Sequence, residues 1–387
     1  MSMTFQGYRR PNGEVGIRNH LLIIPTVICA NQVCNRIQQL VPNTVAIPHQ
    51  HGCSQIGADK ERTFDVLAGT GKNPNVGGVL IVSLGCEVVD PVQLGEEIRK
   101  TGKPVEVLDI QSAGGSVKAI QHGVELAGKM RALLDAMEKV EIPLSELKVG
   151  VKCGGSDATS GLASNPALGV AADALIGEGG TIVIGETTEI IGAEHVLAGR
   201  CRTPEVAGNL YHIVDRFEKE VERMGADMRG GNPSPGNIAG GLSTIEEKSL
   251  GCISKCGTAP IEGIVEYAEQ VPKGGLYFMD SPGNDIECVS GMAAGRVHLV
   301  CFTTGRGTPT GSAVIPVIKI TGNRLCAERM ADNMDVDVSG LLEGEYSLQE
   351  AGERIWDEIR AVSSGKLTTA EVLGHAEFSI NRIGPSL

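Results

Sequence analysis

Three short apolar runs in this chain stop at loops that carry a thiol. Residues 149–151 lead into Cys153-Gly154-Gly155, and residues 79–84 into Gly85-Cys86-Glu87. Residues 45–47 lead, slightly later, into His51-Gly52-Cys53. A run without polar alternation has no water-facing side. Each therefore reads as a strand buried on both faces, the pattern of a parallel sheet covered by helices. In such sheets, ligands bind beyond the carboxyl ends of the strands. The recurrence thus constrains the fold and the location of the chemistry together.

The rest of the chain follows the same rhythm. Strands over 21–27, 45–47, 79–84 and 105–110 alternate with helices over 31–40, 57–71, 92–101 and 117–140. In the helix over 57–71, Asp59, Glu61 and Arg62 are expected on the outer face. A link at Glu141-Ile142-Pro143 leads to strands over 147–151 and 181–184, a helix opening near Pro166 and a long charged helix over 203–224. Further strands follow over 276–279, 297–302 and 317–320, with helices over 245–250, 348–362 and 369–373. The expected fold is α/β: mostly parallel sheets covered by helices. It forms two α/β domains, 1–143 and 144–387, with the site at the strand carboxyl ends between them. The Gly- and Pro-rich stretch 229–241 reads as a loop or linker.

Charge and cysteine content narrow the function. A net charge of −13 argues against nucleic-acid or anionic-membrane partners. No run approaches the roughly 18 apolar residues of a membrane helix, and the N-terminus has no apolar signal core, so a cytoplasmic protein is expected. In that compartment the 11 cysteines are not a disulfide framework. Cys29, Cys34, Cys301 and Cys326 lie in apolar stretches and are expected as small buried residues. No CxxC pair occurs. Cys252 and Cys256, four apart with no second pair, are read as non-functional.

The strand ends gather the chemistry. Cys53, Cys86 and Cys153, from three separate strand ends, suit a soft metal or an iron–sulfur cluster with one iron open as a Lewis acid. The alternative for each is a small residue at a crowded backbone. A mononuclear Fe2+ or Mn2+ would instead favour carboxylates, His and water. Glu186 and Glu189 can serve as base and acid if buried near a metal, or Glu189 can merely open a helix. His51 is a ligand, a proton shuttle or a structural histidine. Ser156 and Asp157 follow Cys153 and are placed to meet a substrate. Phe302 to Ser312 presents Thr304, backbone amides and Arg306, which suits a bidentate grip on a carboxylate or sulfonate. It lacks the spacing of a nucleotide P-loop.

At these residues the chain resembles the altronate/galactarate dehydratase family, which includes the large subunit of (R)-sulfolactate sulfo-lyase. The resemblance is carried by GYRRPNGEVGIRNH (7–20), HGC (51–53), LGCE (84–87) and CGGSDATSGLASNPALG (153–169). It continues through GETTEIIGAEH (185–195), GGLSTIEEKSLG (240–251), FTTGRGTPTGS (302–312) and DVDVSG (335–340). It implies a hydro-lyase that requires iron and converts a polyhydroxy acid to a 2-keto-3-deoxy acid. The expected course is proton abstraction next to the carboxylate, metal-assisted loss of the 3-hydroxyl, and tautomerisation of the enol.

The resemblance implies a small N-terminal domain ahead of the segment that starts at Gly7, and a separate small subunit is expected to supply it. A homo-oligomer is also expected. Arg18 and Asn19 are expected in an N-terminal loop near the cleft as substrate-binding residues. IPHQHGCSQIGAD (47–59), GLYFMD (275–280) and LTTAEVLGHAEF (367–378) are similar to the sulfo-lyase branch. The thiols of Cys53 and Cys86 are instead those of the sugar-acid dehydratases. The expected substrate is therefore a sugar acid such as altronate or galactarate. Sulfite release from sulfolactate is the alternative, and a non-catalytic sugar-acid- or cluster-binding scaffold a third reading.

Overall fold

The computed structural model describes residues 3–384. The first part runs β1 (Thr4–Arg9), β2 (Val15–Gly16), β3 (His20–Pro25), α1 (Asn31–Leu40), β4 (Thr44–Ala46), α2 (Ala58–Lys72) and β5 (Val76–Ser83). It continues through α3 (Pro91–Arg99), β6 (Val105–Asp109), α4 (Ser116–Asp135) and β7 (Val140–Pro143). The second part begins with β8 (Lys148–Cys153), α5 (Asn165–Gly177), β9 (Thr181–Ile184), α6 (Glu194–Ala198), α7 (Pro204–Arg223), α8 (Pro235–Ala239) and α9 (Ile245–Ile253). Then come β10 (Ile261–Val265), β11 (Gly275–Met279), α10 (Asp285–Ala294), β12 (Leu299–Thr303) and β13 (Val317–Thr321). The chain closes with α11 (Arg324–Arg329), β14 (Val336–Asp337), α12 (Leu348–Ser363) and α13 (Thr369–Leu373).

Two parallel sheets dominate. The smaller has the order β4-β3-β5-β6 and the larger β10-β11-β9-β8-β12-β13-β14. Every residue of β5 and β8 is buried, which explains their unbroken apolar runs. Burying each large aliphatic side chain contributes about 1.5–3 kcal/mol, so these strands anchor their domains. In both sheets the chain reverses direction of growth at a central strand, β3 in one and β8 in the other. Such a switch point leaves a crevice at the strand's carboxyl end. Cys153 is the last residue of β8.

The sheets share an apolar core. Leu22 and Ile24 of β3 belong to the same buried cluster as Val183, Val300 and Phe302. Helices α2 and α10 lie side by side across the junction. At one end Asn381 joins Arg62 to Glu287, and at the other Gly69 packs on Ala294. The two helices therefore run parallel, and their N-termini face the same way. The C-terminal segment crosses back over this end, where Asp59 accepts the N–H groups of Ile383 (2.7 Å) and Gly384 (2.8 Å).

Several expectations change. The helix expected over 117–140 ends at Asp135, and the link at 141–143 is strand β7, paired antiparallel with β1. Asp59 is buried by its strap bonds rather than facing outward. Cys29 is exposed, whereas Cys34, Cys301 and Cys326 are buried. The stretch 229–241 is not wholly irregular, because Ser234 caps the short helix α8. No helix among the described residues is long and apolar enough to cross a membrane.

Candidate active site at the end of the central strand

The carboxyl end of β8 meets the turn after β9 and the end of α9. Cys153 Sγ lies 3.5 Å from Cys252 Sγ. Lys255 Nζ is 2.6 Å from Cys252 Sγ, 3.4 Å from Cys153 Sγ and 3.0 Å from Glu186 Oε2. Glu186 Oε2 also accepts the Cys153 N–H at 3.0 Å. On its other oxygen Glu186 pairs with Lys152 Nζ at 3.1 Å, and Lys152 in turn binds Asp285 and lies over the Phe302 ring. Lys152, Glu186 and Lys255 are all fully buried.

The backbone is shaped to this cluster. Glu186 sits in the left-handed region (φ +69°), a conformation that costs a non-glycine residue about 1–3 kcal/mol and is found where a site demands it. Ser281 Oγ accepts its N–H at 2.8 Å. A Cβ on Gly154 would lie 2.4 Å from Asp285 Oδ1, so only glycine lets that carboxylate reach Lys152.

The charges are balanced in place. Burial alone would raise the Glu186 pKa, but the ammonium groups of Lys152 and Lys255 outweigh it and hold the carboxyl below its ordinary value. Burial raises Glu189, and the charge of Glu186 adds to that, against the opposing pull of Lys248 2.9 Å away. The two thiols act as one pair. Their shared hydrogen bond lowers Cys153 against the effect of burial, with help from Lys255, and raises Cys252 well above the usual thiol range.

A cavity of about 330 Å³ reaches this cluster at Cys153. Its lining includes Cys153, Ser156, Asn165 and Lys248. Lys248 links cavity and acid, because its ammonium also donates to Asn232 Oδ1 at 2.6 Å.

Cys153, Glu186 and Cys252 have ligand atoms within 4.8 Å of one another, a spacing that could hold a metal ion. The position is already filled, however: the Lys255 ammonium touches all three groups. A divalent ion could enter only by displacing a fully buried lysine. The expected triad of Cys53, Cys86 and Cys153 is not assembled, since Cys53 and Cys86 are exposed on the smaller sheet's loops and lie outside that group.

The other expected residues divide. Arg18 cannot bind a substrate, because all five of its donors are engaged. Nε and Nη2 reach Glu371, and the rest reach the carbonyls of Ile17, Val362 and Lys366. Asn19 joins Arg10 to the Leu134 carbonyl. Asp157 orders its own loop: Thr159 Oγ1 donates to Oδ1 at 2.6 Å and Asn323 Nδ2 to Oδ2 at 2.7 Å. Thr304 is buried and accepts the Gly307 N–H. Arg306 is exposed, with one donor on the Gly236 carbonyl. His51 Nε2 lies 3.0 Å from the Ile380 carbonyl. Ser156 lines the cavity.

The sequence reading missed Cys252, Lys255, Lys152 and Lys248. Cys252 and Lys255 lie about a hundred positions from Cys153. Their only signal was a single Cys252–Cys256 spacing, and the structure puts Cys256 elsewhere, donating to the Ile253 carbonyl.

Comparison with known proteins gives a consistent picture. The model for D-galactarate/altronate dehydratase, C-terminal, matches residues 144–386, and that for D-galactarate dehydratase/altronate hydrolase, second domain, matches residues 7–135. The (2R)-sulfolactate sulfo-lyase subunit beta of Chromohalobacter salexigens is 39% identical, over 98% of this chain and 97% of its own. The altronate dehydratase of Bacillus subtilis is 37% identical, over 99% of this chain and 78% of its own. The galactarate dehydratase (L-threo-forming) of Escherichia coli is 33% identical, over 95% of this chain and 74% of its own.

Proposed function

The chain belongs to the D-galactarate/altronate dehydratase family of lyases, and on that premise we propose that it dehydrates a sugar acid to a 2-keto-3-deoxy acid. One observation carries this reading. Glu186 and Glu189 stand three residues apart on one turn, Glu186 between the buried ammonium groups of Lys152 and Lys255 and Glu189 2.9 Å from Lys248 at the cavity wall. Two carboxyl groups in environments that differ this way are what an elimination needs, one to take a proton and one to return it. Glu186 takes the proton from the carbon beside the substrate carboxylate. Glu189, on the Lys248 side of the turn, gives a proton to the departing hydroxyl. Lys248, at the cavity wall, attracts the substrate carboxylate. Lys255 and Lys152 keep Glu186 charged when no substrate is present.

Iron, with Mn2+ as an alternative, would supply a Lewis acid for the leaving group. Lys255 closes the Cys153 group to it, so the exposed thiols of Cys53 and Cys86 are the donors open to it. We further infer a small partner subunit, as the name of the Chromohalobacter relative implies for that protein.

Sulfite elimination from sulfolactate is the second reading, supported by the 39% identity to the sulfo-lyase subunit. It uses the same proton abstraction and a different leaving group. The test is a panel of aldonates, aldarates and sulfolactate, assayed for 2-keto acid and for sulfite, with a small subunit of the sulfo-lyase type present. Keto acid without sulfite supports dehydration. Sulfite in equal yield overturns it in favour of the second reading.

A further inference from the structure

Two of the 11 cysteines meet sulfur to sulfur. Cys153 ends β8 and Cys252 lies in the last turn of α9, and their Sγ atoms share a hydrogen bond at 3.5 Å. Cys256, one turn further on, bonds to the Ile253 carbonyl instead. The approach of α9 to this strand end is fixed by its neighbours. Asn165 Nδ2 donates to the Gly251 carbonyl at 3.0 Å. Gly251 also lies so close to Gly161 that a Cβ on either would come within 3.1 Å of the other's Cα. Backbone packing next to Cys252 therefore holds the two thiols in contact.

The two sulfurs differ in access. Cys153 lines the cavity and Cys252 does not, so a molecule entering there meets Cys153 first. Both are buried, and only a small reagent that fits the cavity reaches the pair. Lys255 Nζ lies 3.4 Å from Cys153 Sγ and 2.6 Å from Cys252 Sγ. An ammonium group at that range favours a thiolate over a thiol, and the thiolate is the nucleophile. A reachable sulfur beside a cation, with a second sulfur in contact, is the arrangement in which one thiol is oxidised and the other resolves it.

We propose that Cys153 and Cys252 are a redox pair that a hydroperoxide joins reversibly as a disulfide at the wall of the cavity. The Cys153 thiolate attacks one peroxide oxygen. The O–O bond breaks, and the leaving hydroxide takes a proton and departs as water. The Cys252 sulfur, beside the Lys255 ammonium, then attacks the sulfenic sulfur of Cys153. The S–O bond breaks, a second water leaves and the S–S bond forms. Two thiols lose two electrons and two protons, and one peroxide becomes two waters. A disulfide bond is about 2.05 Å long, so the sulfurs close by about 1.5 Å, shared between the end of a strand and the end of a helix. The disulfide carries no charge and leaves Lys255 with Glu186 as its anionic partner. Loss of turnover through that change rests on the lyase reading; the disulfide itself does not.

The test uses the full chain, reduced, desalted, exposed to hydrogen peroxide, alkylated and digested with trypsin. Cleavage after Lys152 and Arg200 releases Cys153, and cleavage after Lys248 and Lys255 releases Cys252, each in a peptide with no other cysteine. The expected product is these two peptides joined, two hydrogens lighter than their sum, in more than half of the chains, and separated again by dithiothreitol. In Cys252→Ser, peroxide should leave Cys153 as a sulfenic acid that dimedone labels. In Cys153→Ser, Cys252 should remain open to alkylation. Both peptides fully alkylated at a peroxide dose that oxidises the exposed Cys53 and Cys86 overturns the proposal. So does Cys252 joined to any other cysteine. Failed cleavage after Lys255, with one oxygen gained and two hydrogens lost, also overturns it, in favour of a Cys252–Lys255 bridge. Keto-acid release from the same samples separates the two readings. It should fall in proportion to the disulfide and return with dithiothreitol. A disulfide with turnover unchanged leaves the pair standing and moves the lyase site away from this cluster. A disulfide in chain that turns over no substrate of the panel counts against the lyase alone.

Discussion

Lys255 joins stability and chemistry in one side chain. It is fully buried between a carboxylate and two sulfurs, and those partners raise its pKa against the effect of burial. Lys255→Met would take the ammonium away from the Cys153–Cys252 pair and leave Glu186 with Lys152 as its remaining buried cation. Breaking a buried pair from one side costs about 3–5 kcal/mol, and urea unfolding should show a loss of that size. An unchanged midpoint would mean that Lys152 alone neutralises the cluster. Cys153 and Glu186 were legible in the sequence because each ends an apolar run. Cys252 and Lys255 were not, because a helix brings them in from a distant stretch with no spacing signal. Arg18 was misread for a related reason: its charge looked available, and only the fold shows Glu371 waiting for it across more than 350 positions.

Strands and their terminal loops account for most of what the sequence disclosed. The unbroken apolar runs of β5, β8 and β9 are a direct signature of burial on both faces. β1 and β7 escaped notice because an edge sheet needs only alternate burial, and β7 also looked like a proline link. The loop at Gly52 gives a prediction at this scale. Gly52→Ala meets both the left-handed backbone, at φ +97°, and the Thr26 carbonyl. Its cost should exceed the roughly 1–2 kcal/mol of the backbone conformation alone. Thermal unfolding measures that loss, and a cost below it would mean that the loop adjusts without strain. Gly154→Ala, with its Cβ aimed at Asp285, should lower turnover through Lys152 with a smaller effect on the smaller sheet's loops.

Buried neutral histidines tie segments together through backbone groups. His298 Nδ1 accepts the Lys148 N–H at 2.8 Å while its Nε2 lies 2.7 Å from the Val15 carbonyl, joining β8 to β2. His49 bridges the His51 N–H and the Pro25 carbonyl in the same way. Burial lowers both pKa values from 6.5 to about 4. The folded state thus favours the neutral ring, and the unfolded chain takes up a proton first as pH falls. The stabilisation is complete above pH 6.5 and is lost as pH drops through about 4. Each histidine is worth on the order of 3 kcal/mol over that window. Denaturant unfolding at pH 7 and pH 4.5 should show the fall, and His298→Gln should flatten part of it. A slope unchanged in that variant would assign the acid sensitivity to the carboxylates. At this scale the α/β class was legible. The apolar core shared between the sheets and the returning C-terminal strap were not, because both depend on contacts between segments remote in sequence. The most direct test of the lyase reading is the rate of 2-keto acid formation by Glu186→Gln on the best substrate of the panel. Loss of the general base should slow the reaction about 10²- to 10⁴-fold per folded enzyme, the folded fraction being checked by circular dichroism because the same change unpairs the buried Lys152 and Lys255. Turnover at the parent rate would contradict the assignment of Glu186, and with it the chemistry built around Cys153 and Lys255.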